Sequence, residues 1–521
     1  MYDKNTRKLL NGAAWLGFSA ILLKIIGLVY KIPMSYLLGD EGMGYFNSAY
    51  TVYVFFYIIG SAGIPKAVSI LCSRSSEGEA KTIFTLIYRI YFLLGSILSV
   101  MLLLFADFIS ESIGSDNSKY AIFAIAPSIL FVCSAGVLRG YLSGKTKFVP
   151  IAISELISAL FKLCLGILLA LYAIKRAYPL PIVCAFSILG ITLGTFFSFL
   201  YLYISYRKES KNIKNAHIKS NEILKEVFCI GLPITFAAIV SGLVSIIDLM
   251  LMMNRLRASG YSETVCVAIY GNYTTLAVPM FSFVTNLINT ISIAALPIIV
   301  SSVSRRKYNE AEVAISSSIK ILSFISIPAF FAFFILPTEI LGAVFEEGSA
   351  RLGSGFLFLL APGIIFYFLL TLCNTALEGA GRIKAAVATL VVGAAVKCIL
   401  SFFMIGSDGV GALGAPISTS ASYLVSFVVS YCFYKKYIGE NLGIKLSISE
   451  NIRWPSLASL ASVIIVILIK KSVQNVLSFR ISSMLFLCIY GVLYLFFITL
   501  FTIMSGKKKD LIVIFNKKTT C

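Results

Sequence analysis

Apolar runs of helical length recur from one end of this chain to the other, and that feature limits the fold more than any other. A helix needs about 20 mostly apolar residues to cross a bilayer. About 14 such runs can be drawn: 12–38, 44–72, 82–106, 120–142, 148–174, 180–206, 226–253, 267–303, 313–337, 354–377, 384–406, 410–434, 453–473 and 481–505. The run 267–303 is long and carries Pro279 and Pro297, so it is expected to tilt, kink or continue into water. Of 521 residues, 58% are hydrophobic and only 13% charged, with mean hydropathy +0.91. Soluble domains carry about 25% charged residues. The expected fold class is an all-α polytopic membrane protein. The basic start, Lys4, Arg7 and Lys8, leads into a run too long for a signal-peptide core, so no cleaved signal is expected.

The net charge is +20, yet the basic residues sit between the apolar runs and at both ends. There they set topology and meet anionic headgroups, and no nucleic-acid partner is expected. Arg74, Lys81, Arg139, Lys145, Lys147, the stretch 207–225, Arg305–Lys307, Arg382, Lys384 and the stretch 435–453 fall on one side. The opposite loops are acidic or neutral, with Asp40, Glu41, Asp107, Glu111, Asp116, Glu339, Glu346 and Glu347. Lys175–Arg176, Arg255–Arg257 and Lys470–Lys471 break the pattern. Both termini are therefore expected in the cytoplasm. The 11 cysteines form no CxxC pair, and the single histidine, His217, lies in a charged loop. No metal site, cofactor or histidine-based catalysis is expected, and the chain reads as a non-enzyme.

The basic stretch 207–225 has no hydrophobic period and divides the first six runs from the rest. An internal repeat supports the division. Ala126-Pro127-Ser128-Ile129-Leu130-Phe131 returns as Ala361-Pro362-Gly363-Ile364-Ile365-Phe366, and the same offset pairs Gly144 with Gly379, Lys147 with Arg382 and Lys162 with Lys397. A weaker pair sets Ile64-Pro65 against Leu296-Pro297. Six runs per copy give both copies the same orientation, related by a pseudo-twofold along the membrane normal. The expected organisation is an N-terminal lobe (1–206), a basic linker (207–225), a second six-helix lobe (226–440), and two additional helices with a basic tail (441–521).

The first run carries Lys24 and Lys31, seven residues apart and so on one helix face to within about 20°. Gly17, Ala20 and Gly27 share that face. Each lysine costs roughly 2.5–3.5 kcal/mol near the bilayer centre. Either the face lines a watery cavity that receives an anion, or the amines snorkel to the headgroups, which Lys31 reaches more easily than Lys24.

Leu23-Lys24-Ile25-Ile26-Gly27-Leu28-Val29-Tyr30-Lys31-Ile32-Pro33 runs on to Gly39-Asp40-Glu41-Gly42-Met43-Gly44. Further on come Ala62-Gly63-Ile64-Pro65, Arg139-Gly140-Tyr141, Pro150-Ile151-Ala152-Ile153-Ser154, Ile247-Asp248 and Thr375-Ala376-Leu377-Glu378-Gly379-Ala380-Gly381-Arg382. This order of motifs, over roughly 8–440, resembles the stage V sporulation protein B-like polysaccharide biosynthesis proteins. These belong to the multidrug/oligosaccharidyl-lipid/polysaccharide (MOP) exporter superfamily and are similar to the lipid II flippases. The resemblance implies two six-helix lobes in a V, two additional helices, alternating access, and an undecaprenyl-pyrophosphate-linked sugar as cargo in a bacterial plasma membrane. It also implies that span-one cations, here Lys24 and Lys31, face the cavity. The charged pair that flippases carry in span eight is missing, since no charge lies between Tyr270 and Ser304.

Such cargo sets the candidate residues. Lys24, Lys31, Lys162 and Lys397 are the intramembrane cations for a diphosphate, although Lys162 can instead pair with Glu155 one face away. Arg139 and Arg382 can clamp an inner gate against Glu155 or Glu378, bind lipid phosphates, or anchor topology. Glu41 lies in an expected outer loop that is either a gate or a plain turn. Asp248 is the candidate for Na⁺ or H⁺ coupling, with the membrane potential as another drive. Tyr30, Tyr45, Tyr50, Tyr53 and Tyr57 can stack on sugars or pack. The partners are an anionic lipid-linked oligosaccharide and membrane lipids, with the chain a monomer or joined to envelope-synthesis proteins. The alternatives are a cation-coupled multidrug exporter of the same superfamily and a non-transporting scaffold for envelope synthesis.

Overall fold

The computed structural model describes residues 4–504 except 212, 215, 217–219, 408, 445–447 and 474–477. The side chains of 4–18, 20, 21, 24, 28, 220, 237, 241, 448–450, 472–473 and 502–504 also lie outside the described set. His217, the basic tail and the Lys24 side chain are therefore not placed. Every regular element among the described residues is helical. In hydrocarbon no water satisfies the backbone, so helices that close their own hydrogen bonds are the natural solution for such apolar runs.

Twelve described helices are long and apolar enough to cross a membrane, thirteen if one bent pair counts as a span. The expected 14 differs mainly at the start, where Ile25–Arg74 forms one 50-residue stretch. At 1.5 Å per residue that is about 75 Å, more than twice the hydrocarbon thickness. It is broken inside. The chain divides into two compact units, Met1–Gly271 and Asn272–Cys521. The linker 207–225 falls within the first, which also takes in the seventh expected span.

The first unit holds α1 (Lys4–Ser61), α2 (Gly63–Arg74), α3 (Glu77–Leu104), α4 (Ala106–Ile113), α5 (Lys119–Ile125), α6 (Ser128–Gly144), α7 (Phe148–Lys175), α8 (Leu180–Ser210), α9 (Ser220–Ala258) and α10 (Glu263–Asn272). The outer loop expected at 39–42 is absent. One residue makes the break: Gly39 adopts φ 65, ψ −177 and the helix resumes at Asp40. That conformation is nearly confined to glycine. Asp40 and Glu41 then begin the second half of α1, where carboxylates suit the helix dipole.

The expected span 120–142 bends by 42° between α5 and α6 at Ala126–Pro127. Pro127 cannot donate a backbone hydrogen bond, so carbonyls around the bend lose partners. Hydroxyls replace them: Ser99 Oγ donates to the Ala126 carbonyl at 3.0 Å, Thr192 Oγ1 to Ala124 at 2.6 Å, and Ser128 Oγ to Ile125 at 2.5 Å. Helix α6 is the buried centre of this unit, packed by α2, α3 and α8.

The second unit opens on a π-helical turn, Tyr273–Ala277, which sets Pro279 at the start of α11 (Val278–Ser304). There a missing N–H is harmless, and the kink expected at this proline becomes a wide turn before it. Then come α12 (Tyr308–Ile335), α13 (Pro337–Gly342), α14 (Glu347–Gly379), α15 (Ile383–Met404), α16 (Gly414–Tyr434), the single turn α17 (Glu440–Leu442), α18 (Ile448–Val473) and α19 (Phe479–Met504). Helix α14 is the buried centre, packed by α11, α12 and α16. Unlike its repeat partner, it stays one helix through Pro362.

The repeat is visible in backbone detail. Helices α6 and α14 end at Gly144 and Gly379, and α7 and α15 start at Phe148 and Ile383, each pair 235 apart. The turns share one hydrogen-bond pattern. Lys145, Thr146 and Lys147 N–H donate to Tyr141, Ser143 and Leu142 carbonyls, and Ala380, Gly381 and Arg382 do the same to Ala376, Glu378 and Leu377. Thr146 (φ 57) and Gly381 (φ 74) take the same left-handed conformation. Thr146→Gly should therefore be neutral to slightly stabilising, whereas Gly381→Val should cost about 1–2 kcal/mol in thermal unfolding of the detergent-solubilised protein.

The last helix is fixed to α12 by an unusual pair of bonds. Pro328 leaves the Phe324 carbonyl without its helical donor. Tyr494 Oη donates to that carbonyl at 3.0 Å, and Tyr490 Oη to the Pro328 carbonyl at 2.9 Å. Leu336, Val463, Val466 and Phe486 pack around Tyr490, and Ala458 and Ile498 around Tyr494. Tyr494→Phe should destabilise this docking by about 1–3 kcal/mol, and by much less in a Pro328→Ala background, where the carbonyl regains its own donor. A double-mutant thermal-unfolding cycle checks this.

Two exceptions to the loop-charge pattern also find partners. Lys470 pairs with the buried Glu339, and Arg257 approaches Asp116 at 3.8 Å. These bases neutralise acids at their own end of the helices.

Candidate functional site

Four helices of the first unit enclose a cavity of about 340 Å³. Each contributes one face at helical spacing: Tyr50, Tyr53 and Tyr57 from α1; Phe131, Ala135 and Arg139 from α6; Glu155, Ser158, Ala159 and Lys162 from α7; Ile191, Thr195 and Ser198 from α8. Polar residues recurring at i, i+3, i+4 and i+7 in otherwise apolar helices turn a wet stripe inward. Bilayer-facing positions do not need such a stripe.

Small residues bring these helices together. Gly136, Gly140 and Gly144 recur every fourth residue on α6. A Cβ on them would lie 2.5 Å from the Gly60 carbonyl oxygen, 2.5 Å from that of Pro65 and 2.7 Å from that of Ser69. The end of α1 and all of α2 thus press backbone to backbone on α6, the small-xxx-small packing of membrane helices. On the other side, Gly190 meets the Gly166 backbone and Gly194 the Ser158 carbonyl, where a Cβ would sit at 2.5 and 2.6 Å. This fixes α7 on α8 and sets the height of Lys162.

The Lys162 ammonium lies 4.8 Å from the ring centroids of both Tyr30 and Tyr50. Each such contact supplies roughly 0.5–2 kcal/mol, offsetting part of the cost of holding a cation in hydrocarbon. Tyr30 is only 2% exposed and its hydroxyl has no hydrogen-bond partner among the described residues. Lys162 and Glu155 form no ion pair within 4.0 Å, so the structural pairing considered from the sequence is not made. Lys31 is half-buried and close enough to Lys162 for the two charges to repel. Arg139 donates from Nη2 to Ser198 Oγ at 3.4 Å, while its buried Nε has no partner among the described residues. The cavity is therefore lined by cations, hydroxyls and aromatic faces, with one carboxylate, Glu155. Chemically it can hold an anion and a polar ring together.

The remaining candidates lie elsewhere. Lys397, the repeat partner of Lys162, is half-buried in α15 of the second unit. Arg382 is exposed, its guanidinium 4.8 Å over the Tyr437 ring, and Glu378 is exposed nearby in sequence. Neither forms the clamp ion pair considered above, and Arg139 forms none with Glu155. Glu41 accepts a hydrogen bond from Tyr45 Oη at 3.1 Å. Asp248 is half-buried on α9 and engaged by neighbouring groups. Reasoning from the sequence missed Ser158, Thr195 and Ser198, because hydroxyls pass as neutral in apolar spans. Their spacing on α7 and α8 was the available signal.

An all-helical, multi-pass chain with a cation-bearing hollow among its helices has the build of a membrane transporter. Residues 9–303 match the polysaccharide biosynthesis protein family, and the chain belongs to that family. Residues 233–403 also match the MatE family. The lipid II flippase MurJ of Bacillus subtilis (strain 168) is 24% identical over 500 residues, covering 91% of this chain and 90% of the relative. Stage V sporulation protein B of the same organism is 21% identical over 484 residues, covering 91% of each. A solved lipid II flippase MurJ in an inward closed conformation superposes with TM-score 0.74 at 16% identity, covering 95% of this chain and 99% of that one. That likeness is one of fold, a polytopic all-α membrane protein as expected from the sequence.

Proposed function

We propose that this protein is a flippase for an undecaprenyl-pyrophosphate-linked cell-wall or polysaccharide precursor, carried from the cytoplasmic to the outer leaflet of a bacterial plasma membrane by alternating access. Its termini lie in the cytoplasm. No bond is broken. The task is to lower the desolvation cost of a diphosphate and a sugar while the polyprenyl tail remains in lipid. The cavity carries this reading: Lys162, Arg139 and neighbouring Lys31 answer the diphosphate, and Tyr50, Tyr53 and Tyr57 with Ser158, Thr195 and Ser198 answer the sugar. Lys24 and, in the second unit, Lys397 and Arg382 are further cations for the anionic cargo in this reading, with Glu378 and Glu41 as gate residues. Asp248 is the ion-coupling residue for Na⁺ or H⁺. The relatives named as a flippase and a sporulation protein support the cargo class.

The match to MatE favours one second reading, a cation-coupled drug exporter. A cationic drug would be repelled by Lys162, Arg139 and Lys31. Reconstitution of the full chain with fluorescent lipid II and other lipid-linked glycans separates the two. Movement of labelled glycan, with no change in drug susceptibility of expressing cells, is expected. Drug efflux without glycan movement would reverse the assignment.

A further inference from the structure

Arg139 lines a second hollow. A groove of about 420 Å³ runs between α2, the last turns of α6 and the first turn of α7, with Lys66, Ser69, Ser143 and Phe148 in its walls. No acidic side chain lines it. Lys66 is exposed and forms no ion pair, and the Ser69 and Ser143 hydroxyls make no hydrogen bond among the described residues. The start of α7 has no side-chain cap, so its first N–H groups add positive potential at the same end. Two cations, Lys66 and Arg139, and the Ser69 and Ser143 hydroxyls make a set of donors matched to a phosphate ester.

The arrangement of Arg139 singles out which phosphate. An ordinary membrane lipid held at the cytoplasmic surface would need the groove alone. Here one residue, Arg139, lines both hollows, and its Nη2 is engaged only weakly, at Ser198 on the cavity side. Its fork of five donors can hold a phosphate from either side. We propose that the groove is a waiting site for the diphosphate of the lipid-linked cargo, and that Arg139 hands that diphosphate on to Lys162. This rests on the flippase reading above. It gives that reading an order of steps: capture by Lys66 and Arg139, then transfer to Arg139 and Lys162.

The test uses the full chain in liposomes with a photo-crosslinking residue replacing Ser143, probed with labelled undecaprenyl diphosphate. Capture is expected. It should fall about tenfold in the Lys66→Gln, Arg139→Gln double variant and persist in Lys162→Gln. In the flipping assay Lys66→Gln, at an exposed position, should raise the half-saturating cargo concentration about tenfold with the maximal rate kept. Three results would overturn the proposal: no capture at Ser143, equal capture of a phosphatidylglycerol probe, or an unchanged half-saturating concentration in Lys66→Gln. The two readings fail separately. Capture at Ser143 without any glycan movement sinks the flippase reading but keeps a diphosphate site. Glycan movement without capture sinks the groove alone.

Discussion

Lys162→Ala should reduce movement of lipid-linked glycan by about 100-fold while the protein still inserts and unfolds at its normal temperature. The ammonium sits against the rings of Tyr30 and Tyr50 and makes no ion pair with Glu155, so removing it leaves no buried countercharge stranded. What is lost is the charge that meets a desolvated anion. Truncating one partner of such a contact costs about 2–5 kcal/mol, and roughly 2.7 kcal/mol is already 100-fold. Lys162→Arg keeps the charge and the stacking on tyrosine, and should retain a tenth or more of the rate. Near-normal movement in Lys162→Ala would remove this lysine from the mechanism.

The largest structural effect is expected at Gly140. Its missing side chain lets α6 touch the Pro65 carbonyl, where even a Cβ would stand at 2.5 Å. Backbone atoms cannot give way as a flexible side chain does. Gly140→Leu should cost more than the 1–3 kcal/mol typical of overpacking, and the full-length protein should be degraded or aggregate on extraction. Gly140→Ala should lower the unfolding temperature and impair transport together, because Arg139 moves with its neighbour. Gly355→Ala is a control, since a Cβ there meets only the tip of Leu413 at 3.5 Å. An unchanged melting curve for Gly140→Leu would show that α2 and α6 do not meet so closely.

The fold was legible because hydrophobic length is a long-range signal that needs no partner to be read. The repeat was legible because proline and glycine mark backbone geometry, as the matched turns at Thr146 and Gly381 bear out. The break at Gly39 was misread as a loop. Gly-Asp-Glu-Gly has turn composition, and only the φ/ψ of one residue distinguishes a kinked helix from a turn. The site was half legible. Arg139, Glu155 and Lys162 announce themselves as charges in apolar runs, but which of them meet depends on which helices touch. The glycine stripe 136, 140, 144 held part of that answer. Lys162 and Lys397 share a register, yet the tyrosines that bracket Lys162 come from α1, outside the matched segment.

The most direct measurement compares binding of undecaprenyl diphosphate with that of uncharged undecaprenol, by native mass spectrometry on the full-length protein. The two ligands share a tail, so only contacts to the diphosphate separate them. At least tenfold tighter binding of the diphosphate is expected, shrinking to near parity in the Lys162→Gln, Arg139→Gln double variant. Equal binding of the two lipids by the unaltered protein would contradict the claim that these fixed cations exist to receive an anionic headgroup.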